Sequence, residues 1–115
     1  MTDRPVLRRA FLLQLKEGSL AEYVEHHRTL REVWPKMAAE IAASGIATIT
    51  IFEADPQLFL FSEIYDEDAW DRLWSSDAHE EWGAVMRPLM HYGPDGKVAS
   101  TPLAEVFRFE VDPTG

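Results

Sequence analysis

The sequence contains no cysteine in its 115 residues. That removes disulfides, thiol nucleophiles, thiolate zinc sites and iron–sulfur clusters together. No apolar run approaches the ~20 residues that a membrane-spanning helix needs. Basic residues are scarce: 11 Lys and Arg stand against 20 Asp and Glu, for a formal charge of −9 with neutral histidines. Such a chain repels phosphate backbones and anionic surfaces, so neither nucleic acid nor membrane is expected as a partner. A Gly-rich phosphate loop, Gly-x-Ser-x-Gly, His-Glu-x-x-His and a basic patch with aromatics are all missing. No apolar signal core follows Met1 to Pro5, and the expected location is the cytoplasm. What is present is ordinary for a folded chain, with 46% apolar and 27% charged residues. One domain over 1–115 is expected, with flexible ends at 1–7 and 112–115.

Hydrophobic period divides the chain into six elements. Ala10 to Leu15 is a short apolar run ending at Lys16-Glu17-Gly18 and reads as a strand. Ser19 and Glu22 have capping-box spacing. After them Leu20, Tyr23, Val24, His27, Leu30, Trp34, Met37, Ala38 and Ile41 recur at helical steps, up to Ser44-Gly45. Pro35 should kink this long helix, because it has no N–H to give. Ile46 to Phe52 and Leu58 to Tyr65 read as a β-hairpin. Asp66, Glu67 and Asp68 precede a helix with Trp70, Leu73 and Trp74, and Asp77 with Glu80 suggests a fresh start for a helix carrying Trp82 and Met86. A Gly- and Pro-rich loop from Tyr92 to Pro102 leads to a last strand from Leu103 to Val111. The order β-α-β-β-α-β fits an α+β, ferredoxin-like antiparallel sheet with helices on one face. The strands are apolar at nearly every position, so the open face should be covered by a second copy, giving a homodimer packed sheet on sheet.

Chemistry must come from few groups. His26 and His27 are adjacent on a helix and point about 100° apart, which does not suit one metal ion. His79 lacks the second histidine of a metal motif, and no cofactor motif is present. His27 lies four residues after Tyr23 on the apolar stripe, so the two side chains stack one turn apart. It is either a core histidine bonded to Tyr23 or a general acid/base with a tyrosine beside it. His26 should face more toward solvent. Trp34, Trp70, Trp74 and Trp82 all fall on expected helices, as core or as a flat lining for the apolar face of a sugar.

Taken in order, these segments resemble the L-rhamnose mutarotase family from about Arg8 to Phe109. The likeness is carried by Arg9 to Leu15, Glu22 to His27, Trp34-Pro35 and Ser44-Gly45-Ile46. It continues in Trp70, Ser76-Asp77, Trp82, Met86, the loop from Gly93 to Val98, and Leu103 to Phe107. The resemblance implies a small dimeric α+β barrel that interconverts the anomers of a deoxysugar such as L-rhamnose without a cofactor. It implies His27 as acid/base, Tyr23 as its substrate-binding or proton-sharing neighbour, and Trp82 against the sugar. Trp34 joins the substrate-binding set, because seven helical steps return it to the face of His27, about 4.5 Å further along the axis than a four-step spacing would.

Three positions depart from the family pattern. Six residues separate His27 from Trp34, where the family has three. Anchoring on Trp34-Pro35 instead would put Leu30 at the place of the histidine and His26 at that of the tyrosine. Ile49 stands where the family has a sugar-contacting tyrosine, and Trp82-Gly83 where it has two tryptophans. A dimeric α+β-barrel monooxygenase-like enzyme acting on an aromatic substrate, and a silent ligand-binding dimer, are the alternative readings.

Overall fold

The apolar run behind the N-terminal arginines forms β1 (Leu7–Gln14) in the computed structural model, which describes residues 4–112. There follow α1 (Leu20–Arg28), α2 (Leu30–Val33), α3 (Pro35–Ala43), β2 (Ile46–Ala54), β3 (Gln57–Ile64), α4 (Ala69–Trp74), α5 (Asp77–Met86) and β4 (Ser100–Leu103). The four strands form one sheet in the order β2-β3-β1-β4, every neighbouring pair antiparallel. With α1–α3 as one connection and α4–α5 as the other, this is the expected ferredoxin-like arrangement.

Alternation along the strands decides which side chains meet the helices. In β3, Leu58, Leu60, Ser62 and Ile64 are buried, while Phe59 between them is exposed. Their partners across the ladder, Leu13 and Phe11 of β1, share the buried face. In β2 a bulge at Ala47 shifts the register between Ile46 and Thr48. Strict alternation would put Ile46 and Ile49 on opposite faces; the extra residue lets both point at the helices. The core is closed by Trp70, Leu73, Trp82, Met86 and Met90 from the second helical region. Ser62 anchors it chemically. Its hydroxyl donates to the Arg9 carbonyl and accepts from the Trp70 indole N–H, each at 2.9 Å.

The long kinked helix of the sequence reading is three helices. Thr29 leaves helical geometry at φ −101°, ψ 11°, and its hydroxyl donates to the Glu25 carbonyl at 3.0 Å. A β-branched residue with a local hydroxyl bond competes with helix propagation. Trp34, at φ −124° and ψ 57°, ends α2 because a residue before proline is pushed out of the α region. Pro35 then starts α3 at a position where its missing N–H is harmless.

Other local expectations shift. Ser19 is the N-cap of α1, but its backbone is near-helical rather than extended and its hydroxyl makes no capping bond. Glu22, the other half of the expected capping box, instead lies 3.4 Å from His26 Nε2. For α5 the cap is Ser76, whose Oγ accepts from the His79 N–H at 3.1 Å, one residue before the expected Asp77. Asp66 pairs with Arg72, whose guanidinium also donates to the Ser44 carbonyl, so the acidic run fastens α4 to the turn before β2.

The last strand is also displaced: it runs over Ser100–Leu103 rather than Leu103 to Val111. Its partner β1 begins at Leu7, and Ala10 faces Leu103, so the register runs out near residue 106. The Arg8–Glu105 ion pair at 2.8 Å holds two residues further on, after which Val106, Phe107, Phe109 and Val111 are exposed. Of the ends expected to be flexible, residues 1–3 and 113–115 lie outside the described residues, and Leu7 already belongs to β1.

Candidate active site

Between the inner sheet face and the helices lies a cavity of about 570 Å³. Phe11, Ile49, Ile51 and Leu60 form its floor, α1 contributes Tyr23 and His27, and α5 contributes His79, Trp82 and Met86. Tyr92 and Val98, from the turn before β4, line it as well. The walls are mostly apolar, with a few polar groups converging: Tyr23, His27, His79 and Tyr92, and the charged Arg28, Arg31 and Glu53. A volume of this size with sparse, placed polar groups is the usual form of a small-molecule site.

Tyr23 and His27 are brought together by the single turn between them. Their ring centroids are 4.1 Å apart at a tilt of 36°. His27 Nδ1 lies 2.8 Å from the Tyr23 main-chain carbonyl. A carbonyl can only accept, so Nδ1 carries the proton and Nε2 is left as the basic nitrogen of the neutral ring. Burial pushes the His27 pKa down, the Nδ1 bond opposes this, and His26 adds to the lowering. The imidazole is therefore mainly neutral at pH 7 and able to take up a proton. Burial, with a smaller contribution from Tyr92, holds the Tyr23 hydroxyl far above its ordinary range, so it remains an O–H donor.

Trp82 arrives from the other helical layer. Its indole is edge-on to His27 at 5.1 Å and 86°. Trp34 does not line the cavity; it stands edge-on to Trp82 at 5.4 Å and 89°, bracing that indole from outside. The break at Thr29 and the short α2 place Trp34 there instead of one further turn along a straight helix. His26 does not line the cavity either. It is less solvent-facing than expected, half-buried with its ring 6.4 Å from Trp82. Of the two registers open in the sequence, Tyr23 with His27 is the pair that lies on the cavity wall, and Leu30 lies there beside them as an apolar surface.

Besides Tyr23 and His27, the uncharged polar groups of the cavity are His79 and Tyr92, which no sequence motif marks as site residues. His79 belongs to no metal motif, yet it sits three residues before Trp82, a spacing that puts both on one helix face. The sequence pattern reads Tyr92 as the start of a loop. In fact Tyr92 bridges Val98, and the Gly93 N–H donates to the Lys97 carbonyl at 2.8 Å. An aromatic and a β-branched residue flanking Gly-Pro-Asp-Gly is a hairpin signal that could have located it. Burial lowers the His79 pKa and raises that of Tyr92. Among the described residues, no group of three or more His, Asp or Glu side chains could hold a metal ion. No helix among them is long and apolar enough to cross a membrane.

Comparison with known proteins gives a consistent result. A family model described as L-rhamnose mutarotase matches residues 8–109. A relative named L-rhamnose mutarotase from Clostridium beijerinckii is 32% identical over 107 residues, covering 91% of this chain and all of that protein. The crystal structure of an L-rhamnose mutarotase from Formosa agariphila superposes with a TM-score of 0.76 at 27% identity, covering 90% of this chain and 99% of that one. A cofactor-independent oxygenase from Streptomyces nogalater shares the fold at TM-score 0.52 and 17% identity, over 94% of this chain and 96% of that one.

Proposed function

The chain belongs to the L-rhamnose mutarotase family, and from that premise we propose that it is an aldose-mutarotase-type isomerase whose cavity exchanges the anomers of a deoxysugar such as L-rhamnose. Mutarotation is a proton-transfer reaction. A base removes the anomeric hydroxyl proton, an acid protonates the ring oxygen, and the bond from C1 to that oxygen breaks to give the open aldehyde. Rotation about C1 and closure on the other face return both protons and give the opposite anomer.

The observation that carries this reading is the tautomer held at His27. Its Nδ1–H is fixed on the Tyr23 carbonyl at 2.8 Å, in the wall of a largely apolar cavity. A neutral imidazole with one nitrogen tied and the other basic can accept and return a proton at neutral pH. In this assignment Tyr23 donates its buried hydroxyl to a sugar oxygen, Trp82 packs against the sugar, and Trp34 holds Trp82 in place. No resident cofactor is called for.

A homodimer in the cytoplasm completes the proposal. On the face of the sheet away from the helices, Phe52 lies opposite Phe59 and Phe59 opposite Leu12, with Thr50, Phe61, Ala10 and Leu103 in the next row. Phe52 and Phe59 are exposed in the single chain, as are the apolar side chains of residues 106–111. An apolar sheet face rimmed by Arg8, Glu63 and Glu105 suits a second copy packed against it.

The test is anomeric exchange followed by saturation-transfer NMR with L-rhamnose, L-fucose and other free sugars. Wild type should accelerate exchange. His27→Ala should lose about 10²–10⁴-fold, the usual worth of a positioned proton-transfer group, and His26→Ala should lose far less. A fully active His27→Ala would overturn the assignment of His27. No acceleration with any sugar would overturn the reading itself and direct attention to aromatic substrates and oxygen consumption.

A further inference from the structure

The main cavity is not walled off evenly. Behind its α5 side lies a second cavity of about 150 Å³ that shares Trp74, His79, Tyr92 and Val98 with it. The lining of this smaller space is charged: Glu80 and Arg87 from the α5 side, and Asp95 and Lys97 from the turn. A polar space of that size has room for several waters. His79 stands in the partition between the two.

His79 is held in place by its backbone and not by its ring. Its N–H caps α5 on the Ser76 hydroxyl at 3.1 Å, and no protein hydrogen bond to its ring nitrogens is found among the described residues. Among the described residues no buried side-chain nitrogen or oxygen lacks a partner, so the ring nitrogens of His79 are accessible, on a residue that lines both cavities. Trp82, which meets His27 edge-on at 5.1 Å, is three residues further along the same helix face. His27, from α1, and His79, from α5, thus line one cavity together with Trp82.

We propose that His79 is a second catalytic proton-transfer group, serving one oxygen of the anomeric centre while His27 serves the other. This rests on the mutarotase reading. In one direction His27 Nε2 takes the proton of the anomeric hydroxyl, and a protonated His79 gives a proton to the ring oxygen as the C1–O bond breaks. On closure the former ring oxygen returns its proton to His79, and His27 returns the other to the new anomeric hydroxyl. Both imidazoles end as they began, and no further reactant is needed. The polar space behind His79 supplies the route by which its proton equilibrates with solvent, a route His27 lacks at its tied Nδ1.

The working form carries one proton on the pair, so the exchange rate should pass through a maximum with pH. Burial disfavours the charged form of both rings. Around His79, Glu80 acts to raise and Arg87 to lower its pKa, with Tyr92, Asp95 and Lys97 on the same small cavity; Tyr23 and His26 act on His27, with Arg28, Arg31 and Glu53 on the same main cavity.

The experiment measures exchange of L-rhamnose against pH for wild type, His79→Gln and a His91→Ala control, whose ring is exposed. His79→Gln should lose about 10²-fold at the optimum, in the range for general acid/base groups, and should lose the alkaline limb of the profile. His91→Ala should match wild type. As a check that needs no substitution, the His79 ring resonances of wild type should move when L-rhamnose saturates the site. An active wild type with an unshifted His79 ring, or a folded His79→Gln that keeps both rate and bell shape, overturns this role and leaves the mutarotase reading intact. A wild type that exchanges no sugar overturns both.

Discussion

Ser62→Ala should be among the most damaging single-atom deletions in the molecule. Ser62 is fully buried, and its one hydroxyl serves two partners, the Arg9 carbonyl and the Trp70 indole N–H, each at 2.9 Å. Trp70 is 7% exposed. It is wedged against Phe11 at 5.7 Å and Trp74 at 5.4 Å, so it cannot swing out to find water. Stranding a buried donor costs about 1–3 kcal/mol, and the bond to the carbonyl adds about 1 kcal/mol. Together they predict a loss of roughly 3 kcal/mol, or a fall in Tm of about 10 °C for a chain of this size. Urea denaturation should show a lower midpoint with an unchanged slope. The double-mutant cycle with Trp70→Phe is the decisive part: once the indole N–H is gone the serine has less to satisfy. The two losses should fall short of additivity by about 1 kcal/mol or more. A Ser62→Ala loss below about 0.5 kcal/mol, or an additive cycle, would refute the claim that this hydroxyl is what satisfies Trp70.

Stability should also depend on pH through the two cavity histidines. Both have pKa values lowered in the folded chain, chiefly by burial. The unfolded chain therefore binds protons first, so their effect is nil above the ordinary value of about 6.5 and destabilising as pH falls below it. Urea midpoints from pH 8 to pH 5 should stay level and then decline, and a midpoint that rises on acidification would contradict the assignment. Gly45→Ala should cost about 2 kcal/mol, because φ is +96° and a Cβ would come within 3.1 Å of Arg72 and 3.2 Å of Asp66. Gly18→Ala, at φ +78° but in open space, should cost only the backbone part, about 1 kcal/mol; equal losses in thermal melts would show that the Arg72–Asp66 pair yields freely. Phe59→Lys should convert the proposed homodimer into a folded monomer in sedimentation, since it sets a charge in the middle of the uncovered sheet face. An unchanged sedimentation coefficient would move the interface elsewhere.

Much of this molecule is legible along the chain because it depends on near neighbours. The order of strands and helices follows from runs of alternating and helical periodicity. The Tyr23–His27 pair follows from a four-residue step, and the Nδ1 bond to the Tyr23 carbonyl is the geometry that step allows within one helix. The breaks at Thr29 and Trp34 could be read in part, the second from Pro35 and the first only by asking where a threonine hydroxyl would bond. The boundaries of β4 could not. Residues after Leu103 are as apolar as a strand needs, but a strand exists only where a partner has backbone to offer, and beyond residue 106 β1, which begins at Leu7, offers none.

The sequence by itself determined the family, the α+β order and the local pairing of a histidine with a tyrosine. Tertiary structure alone decided which other groups meet that pair. Trp82 reaches His27 only because α5 packs over the same sheet face as α1. Trp34 backs Trp82 because two breaks in the first helical region redirect it. His79 and Tyr92 share the cavity although they lie on a helix and a turn far from His27 in the chain. Periodicity fixes the face on which a side chain stands, whereas the meeting of two faces depends on how whole elements fill space, and the candidate cavity is made at such a meeting.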